Sequence, residues 1–364
     1  MRRLIPSLLL CLLAPVLTSC AWNREELLRM FKGKERTDEA QLKKVGVKEE
    51  DLSKFAVKDE APAPPPEKQP VAEPPKPAPV TKARTAVIPA PVIRSAPAKA
   101  APVAPAKPTD AAYPADYPEE LKAVDAKAAG SWALFRPTFR ADEKMMLDVD
   151  YLGMTVGKVV LRYRGLKTMS EKPVHHFQAY FKSAPFYSAI YELDDQLDTF
   201  VAADKFVGLR SNLVQRESKQ NVDEVQLYDR ETLRTTAYQK LVRDGKTKNK
   251  KWEEFMPRWS IDPLSVLWLI RGMPLKERDV YYLPLVNKGK TLVLEATVEG
   301  REKIKTKAGE FSTIRVRAFT QYTGKTLKSG DMTFWLSDDE QHTLLRAKAK
   351  IKIGSVFAEI TPGS

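Results

Sequence analysis

Proline constrains this chain more than any other residue. Between Ala61 and Pro118 lie 17 of its 27 prolines, mixed with Ala, Lys and Val. Proline lacks the amide donor and fixes φ, so this stretch cannot form a helix or carry a sheet ladder. It also holds too little bulky apolar surface to offset the entropy of ordering. The expectation is a semi-rigid polyproline-like linker over 61–118, with the folded domain after it. Fully extended at about 3.1 Å per residue it would reach roughly 180 Å. As a flexible coil it would average about 45 Å. Proline-rich segments also serve as peptide ligands for aromatic grooves, a second use of the same stretch.

The N-terminus carries a different signal. Met1-Arg2-Arg3 is followed by an apolar run from Leu4 to Val16 and then Leu17-Thr18-Ser19-Cys20. Two arginines, a short apolar stretch and small residues make a secretory signal, and the run is too short to span a bilayer comfortably. Leu-Thr-Ser-Cys resembles the lipobox of bacterial lipoproteins. The resemblance implies a signal peptide over 1–19, cleavage before Cys20, and acylation there. Several acyl chains hold a protein stably on a membrane, at roughly 0.8 kcal/mol per buried methylene. Ala21 stands where an Asp would imply retention in the inner membrane, which favours the outer membrane, with the domain facing the periplasm. The only other cysteine, Cys11, leaves with the signal peptide, so a disulfide within one mature chain, thiol catalysis and cysteine–zinc sites are excluded.

Residues 20–60 read as a lipidated, partly helical segment. Asn23 and Glu26 fit a helix N-cap with its reciprocal partner, and Leu27, Leu28 and Phe31 then share a face beside Trp22. Ten basic and ten acidic residues between Arg24 and Glu60 rule out a polybasic membrane patch.

From residue 119 to the end the pattern changes to alternation, the signature of strands. Met145, Leu147, Val149 and Tyr151 alternate with Asp148 and Asp150. Val159, Leu161 and Tyr163 alternate with Lys158 and Arg162, and Ile314, Val316 and Ala318 with Arg315 and Arg317. Turn signals at Asn287-Lys288-Gly289, Ala308-Gly309 and Ser329-Gly330-Asp331 separate such runs. The expected fold is mainly β: a curved antiparallel sheet or open β-barrel, with one buried short helix. That helix starts at Asp262-Pro263 and stops at Gly272 and Pro274. Leu264, Leu267, Trp268 and Ile270 make it apolar on nearly every side, so it plugs the sheet or forms a lipid-contacting lid.

Several of these motifs together resemble the bacterial family catalogued as domain of unknown function 3108. They are Asp148-Val149-Asp150-Tyr151-Leu152-Gly153, Asp194-Asp195, Asp262-Pro263-Leu264-Ser265, and Phe334-Trp335-Leu336-Ser337-Asp338-Asp339 followed by Lys350-Ile351-Lys352-Ile353-Gly354. The similarity covers about residues 140–361 and implies an exported β-rich domain. It brings no established activity and no catalytic residues.

Chemistry is sparse. His175 and His176 are neighbours on a strand and point to opposite faces, so they cannot readily share a metal. There is no Gly-x-Ser-x-Gly elbow, and Gly289-Lys290-Thr291 and Gly324-Lys325-Thr326 lack the upstream glycine of a phosphate loop. No cofactor or metal is expected. Asp194, Asp195 and Asp198 form an acidic cluster, with Asp195 facing away from the other two. It reads as a polar strand edge, a calcium loop or a glycan-cleaving pair. Two basic stripes, Arg301, Lys303, Lys305 and Lys307, and Arg346, Lys348, Lys350 and Lys352, form a candidate anion-binding face. Net charge is +13 for the chain and +8 after residue 118. Nucleic acid is excluded by location, leaving phospholipid, lipid A, peptidoglycan stems or an envelope protein complex as partners. The expected function is a non-enzymatic, outer-membrane-anchored lipoprotein that binds an envelope component. A lipid or lipoprotein carrier with an acyl-binding concave sheet, or a glycan-processing enzyme using the three aspartates, are the alternatives.

Overall fold

The computed structural model describes residues 39–58, 112–322, 331–351 and 354–362. The expected signal peptide, Cys20, the Trp22–Phe31 face, nearly all of the proline-rich stretch, Gly324-Lys325-Thr326 and Lys352 lie outside these residues.

Alternation becomes strand wherever it was expected. The strands are β1 Val57–Lys58, β2 Lys144–Tyr151, β3 Met154–Met169, β4 Lys172–Ser183, β5 Asp194–Ala202, β6 Gly208–Glu217, β7 Gln220–Asp229 and β8 Arg234–Arg243. They continue as β9 Lys246–Phe255, β10 Val280–Asn287, β11 Lys290–Thr306, β12 Gly309–Tyr322, β13 Asp331–Ser337, β14 Leu344–Lys350 and β15 Ser355–Ile360. Two antiparallel meanders, β2 to β9 and β10 to β15, are joined where β15 pairs antiparallel with β2, Ala358 opposite Val149. The order leaves β9 and β10 at the two ends of one 15-stranded sheet, with β1 added to β3. The architecture is thus mainly β, antiparallel and open. Two-residue turns fold tightly at Leu152-Gly153 and Lys288-Gly289, where all four φ angles lie between 51° and 80°. Such φ values match the twist of a hairpin, and the glycine at each second position takes them without a Cβ penalty.

One face of the sheet closes around its own core. Met145, Leu147, Val159, Leu161, Ile314, Val316 and Ala318 bury together with the short helix α5, Ser265–Arg271. (The helices before it are α1 Glu39–Lys44, α2 Glu49–Lys54, α3 Glu119–Leu134 and α4 Pro185–Ser188.) Every residue of α5 is buried, Arg271 included, so the all-round apolar helix is a plug. It starts two residues later than the Asp-Pro signal suggests. Asp262 Oδ1 accepts the N–H groups of Leu264 and Ser265 at 2.9 and 3.0 Å, so Pro263 and Leu264 form the capping turn. The stop is steric as well as conformational. A Cβ on Gly272 would meet Phe135 Cε2 at 2.3 Å and the Arg136 carbonyl oxygen at 2.5 Å. The helix α3 packs against β10, and its Trp132 Nε1 donates to the Phe206 carbonyl at 3.1 Å.

The crossover from β9 to α5 spans the open side. Ile261 bridges in parallel to Leu285 of β10, while the Gly208 N–H at the start of β6 donates to the Ser260 carbonyl. Arg230 fixes this segment. Its guanidinium donates to the carbonyls of Gly208, Pro257, Arg258 and Ser260 and to Ser260 Oγ. Burial lowers its pKa to about 10, which still leaves it charged at neutral pH.

The N-terminal segment does not stand apart from the sheet. Leu42, Val47, Leu52 and Phe55 bury against Met169, Val174, Phe200, Val225, Leu227 and Tyr238 on the convex face. Lys44 pairs with Asp223 at 2.8 Å and Lys54 with Asp229 at 3.0 Å, while Arg210 donates to the Phe55 carbonyl. The expected boundaries therefore move. Residues 39–58 belong to the β-rich domain, and ordered sequence resumes before 119, since Tyr117 buries against Leu233 and Phe255. The reason is that four apolar side chains in a charge-balanced segment suffice to cover a strip already apolar on the sheet.

Candidate functional site

A basic face, an acidic cluster and a plug or lid helix are the expected sites, and the structure treats them differently. The stripes on β11 and β14 converge on acids. Arg301 Nε lies 3.1 Å from both carboxylate oxygens of Asp338. Lys307 Nζ reaches Asp148 at 2.8 Å and Asp150 at 3.2 Å, and its backbone N–H donates to Glu359. Arg346 Nε donates to the other Glu359 oxygen at 2.8 Å. Asp148 stands below the usual carboxylate range: burial opposes this, and the Lys158 and Lys307 ammonium groups outweigh it. Arg301, Lys307 and Arg346 are thus held by carboxylates, which lowers their value to an external anion. Lys303 and Lys305 are exposed, and Lys348 lies over the Phe357 ring at 5.6 Å.

The three aspartates divide between faces. Asp198 is fully buried on the convex side. Its Oδ1 accepts from His176 Nε2 and Gln178 Nε2 and its Oδ2 from Gln196 Nε2, each at 2.7 Å. Around it His176 Nδ1, Gln178 Oε1, Gln196 Oε1 and Asn212 Nδ2 are buried without a hydrogen-bond partner among the described residues. Asp195 faces the concave side, accepting from Gln215 Nε2 and the Arg216 N–H. Burial, with a further contribution from Glu217, pushes its carboxyl up to about 7. Asp195 and Asp198 thus lie on opposite faces of β5, as their odd spacing requires. His175 points opposite to His176 and meets Tyr163 Oη at 2.8 Å, with burial pushing it down to about 4. No group of three or more His, Cys, Asp or Glu among the described residues could hold a metal ion.

The concave interior around α5 is filled. Trp268 of α5 stacks on Phe177 at 4.8 Å, and Phe139 packs edge-on to both. Beside the helix, Asp262, Glu224, Gln226 and Ser211 line a cavity of about 30 Å³. That volume suits a buried water and is far too small for an acyl chain.

Sequence reading missed a dense run of positive charge. Arg243, Lys246, Lys248, Lys250 and Lys251 fall within nine residues of the β8–β9 hairpin, with only Asp244 among them. All six are exposed. The run Lys-Thr-Lys-Asn-Lys-Lys contains no apolar residue, so alternation gives no strand signal there. A charge count in short windows would have found it.

Residues 147–361 match the family described as "Protein of unknown function (DUF3108)". No curated protein matches the chain. Among solved structures, it is similar to a β-barrel-like protein of domain of unknown function DUF1849 from Brucella abortus. The identity is 13% and the TM-score 0.41, over 61% of this chain and 96% of that one. A protein from Bacteroides fragilis, described as exported with a YmcC-like fold, shares 11% identity at a TM-score of 0.28, over 63% and 98% of the two chains. One from Parabacteroides distasonis, described as a lipoprotein, shares 10% identity at a TM-score of 0.28, over 62% and 96%.

Proposed function

The chain belongs to the DUF3108 family, and from that premise we propose that it is an acylated envelope lipoprotein that binds an envelope component on its exterior without catalysis. Cys20 carries the lipid, and the domain faces the periplasm from the outer membrane. The observation that supports exterior binding is the filled concave face. A carrier needs an empty groove, and here α5 and its aromatic neighbours occupy that space. The glycan-processing alternative has less support, because Asp198 is inaccessible and Asp195 faces the other side.

The test is mass spectrometry on two preparations. Intact mass of the membrane-extracted protein should show acylated Cys20, and replacing residues 1–20 with a non-lipoprotein secretory signal should release the chain to the soluble periplasm. An unmodified, soluble wild type would overturn the lipoprotein reading. The soluble variant should copurify without stoichiometric phospholipid. A bound acyl species at one equivalent would instead revive the carrier.

A further inference from the structure

The register of the β8–β9 hairpin places Arg243 opposite Lys246, Leu241 opposite Lys248, Gln239 opposite Lys250 and Ala237 opposite Trp252. Directly opposed residues share a face, and residues two apart on a strand do too. Arg243, Lys246, Lys248, Lys250 and Trp252 therefore form one continuous line at the exposed rim of the concave face, beyond the lining of β6 to β8. Lys250 Nζ sits 5.6 Å from the Trp252 ring centroid. Glu254 follows Trp252 on this face, and there the β10–β11 turn covers the row, since a Cβ on Gly289 would lie 3.1 Å from Trp252 Cβ and 3.2 Å from Glu254 Cγ. Lys251, on the opposite face, pairs with Glu253, whereas Lys246 and Lys248 have no carboxylate within ion-pair distance among the described residues.

Edge strands often carry lysine to prevent pairing with another chain. That purpose does not require two cations directly opposed, as Arg243 and Lys246 are, because opposed like charges destabilise a strand pair. Nor does it require a tryptophan closing the row. Cations followed by an indole match the layering of a bilayer surface, where anionic headgroups lie outermost and tryptophan settles at the interface. The β11 and β14 stripes lack this form, because Asp148, Asp150, Asp338 and Glu359 lie among them.

We propose that the Arg243–Lys246–Lys248–Lys250–Trp252 face of the β8–β9 hairpin docks on the anionic headgroup layer of a phospholipid bilayer. The inference rests on the envelope reading only in needing a membrane within reach. The hairpin would hold the domain against the lipid surface through contacts additional to any acyl chain.

The test uses the chain from Ala21 to Ser364, which keeps every described element and lacks the acylation site. Cosedimentation is measured with vesicles of phosphatidylcholine alone and with a phosphatidylglycerol mixture. Binding should appear only with phosphatidylglycerol and weaken at 0.5 M salt, as screening of exposed charges requires. The triple variant Lys246→Glu, Lys248→Glu, Lys250→Glu should lower the partition coefficient by roughly 100-fold, at about tenfold per 1.4 kcal/mol. Lys303→Glu with Lys305→Glu should change it less than about threefold. Circular dichroism and melting temperature report whether each variant is folded. A glutamine version of the triple variant should lose binding more mildly, so the result does not depend on one substitution set. Trp252 fluorescence should shift blue on binding, and this shift should vanish in Trp252→Phe. No phosphatidylglycerol binding by the wild-type chain, or equal binding by the folded triple variant, overturns the proposal. Acylation of Cys20 is read separately, so it can stand while this proposal falls.

Discussion

The interior of the sheet has two halves of opposite character. Where β2 to β4 and β10 to β14 curve around α5, the contacts are apolar and aromatic, with Phe139, Phe177, Phe206 and Trp268 at the centre. Where β6 to β8 continue the same face, the buried side chains include Gln215, Glu224, Gln226, Thr235 and Gln239 beside Tyr228 and Ala237. The polar groups satisfy one another, Gln226 donating to Thr235 at 2.9 Å and Gln239 to Glu224 at 2.6 Å. The first half is held by non-directional burial and the second by directed bonds. The difference follows from reach. A helix of seven residues spans about 10 Å, at 1.5 Å per residue, and covers only part of a sheet this wide. Beyond it the strands have little apolar surface to bury against, and a polar lining costs less once its groups are paired.

The sharpest way to break this contrast is to hollow each half in turn. Trp268→Ala should cost about 3–5 kcal/mol in urea unfolding, the cost of losing a large buried aromatic. Gln226→Ala should cost less, about 1–3 kcal/mol, mainly by orphaning the Thr235 and Lys288 groups it serves. Equal losses would show that the helix does not dominate the core.

Titration gives the next largest effect, with opposite sign in the two halves. Asp195 in the polar half is raised to about 7, so the folded state binds its proton more tightly than the unfolded chain does. It stabilises most below about pH 4, and that contribution is lost as pH rises to about 7. His175 in the apolar half is lowered to about 4, so it favours folding above about pH 6.5 and opposes it as pH falls to about 4. Between those values the two should largely cancel in the wild type. Asp195→Asn should leave stability rising with pH, and His175→Phe should leave it falling, each by at most about 1.4 kcal/mol per pH unit. Equilibrium unfolding from pH 4 to 7 measures both slopes, and matching slopes in the two variants would refute the assignment.

Asp262 sharpens the boundary, since it caps α5 and also faces the polar cavity. Burial raises its carboxyl, and its Oδ2 has no hydrogen-bond partner among the described residues. Asp262→Asn keeps the capping oxygen and should change stability by less than about 1 kcal/mol, whereas Asp262→Ala should cost about 1–2 kcal/mol in thermal unfolding. The smallest effect belongs outside both halves. Lys44→Ala, removing a half-exposed partner of Asp223, should stay within about 1 kcal/mol.

The apolar half was legible in the sequence because alternation reports one buried apolar face, as in Ile314, Val316 and Ala318. The plug helix was legible for the same reason, since Leu264, Leu267, Trp268 and Ile270 leave it no solvated side. The polar half was not. Gln226 and Thr235 look like surface residues until the register sets them opposite other polar groups on a covered face. Asp198 and His176 are 22 residues apart in sequence, and only the β4–β5 pairing brings them into contact. The strand β9 escaped because its polar run has low strand propensity and is held by Tyr238 to Arg243 across the hairpin. The even balance of charge in residues 39–58 concealed four side chains that dock on the sheet.

That docked segment changes how a pull would travel through the molecule. With Cys20 acylated, tension from the membrane would enter the domain at Glu39, through α1, α2 and the short β1–β3 pairing. The proline-rich stretch would bear no load while these contacts hold, because it leaves the sheet after Lys58 and returns to it near Tyr113. The Lys44 and Lys54 ion pairs and the short β1–β3 pairing would then be the first contacts to give way, ahead of the folded sheet.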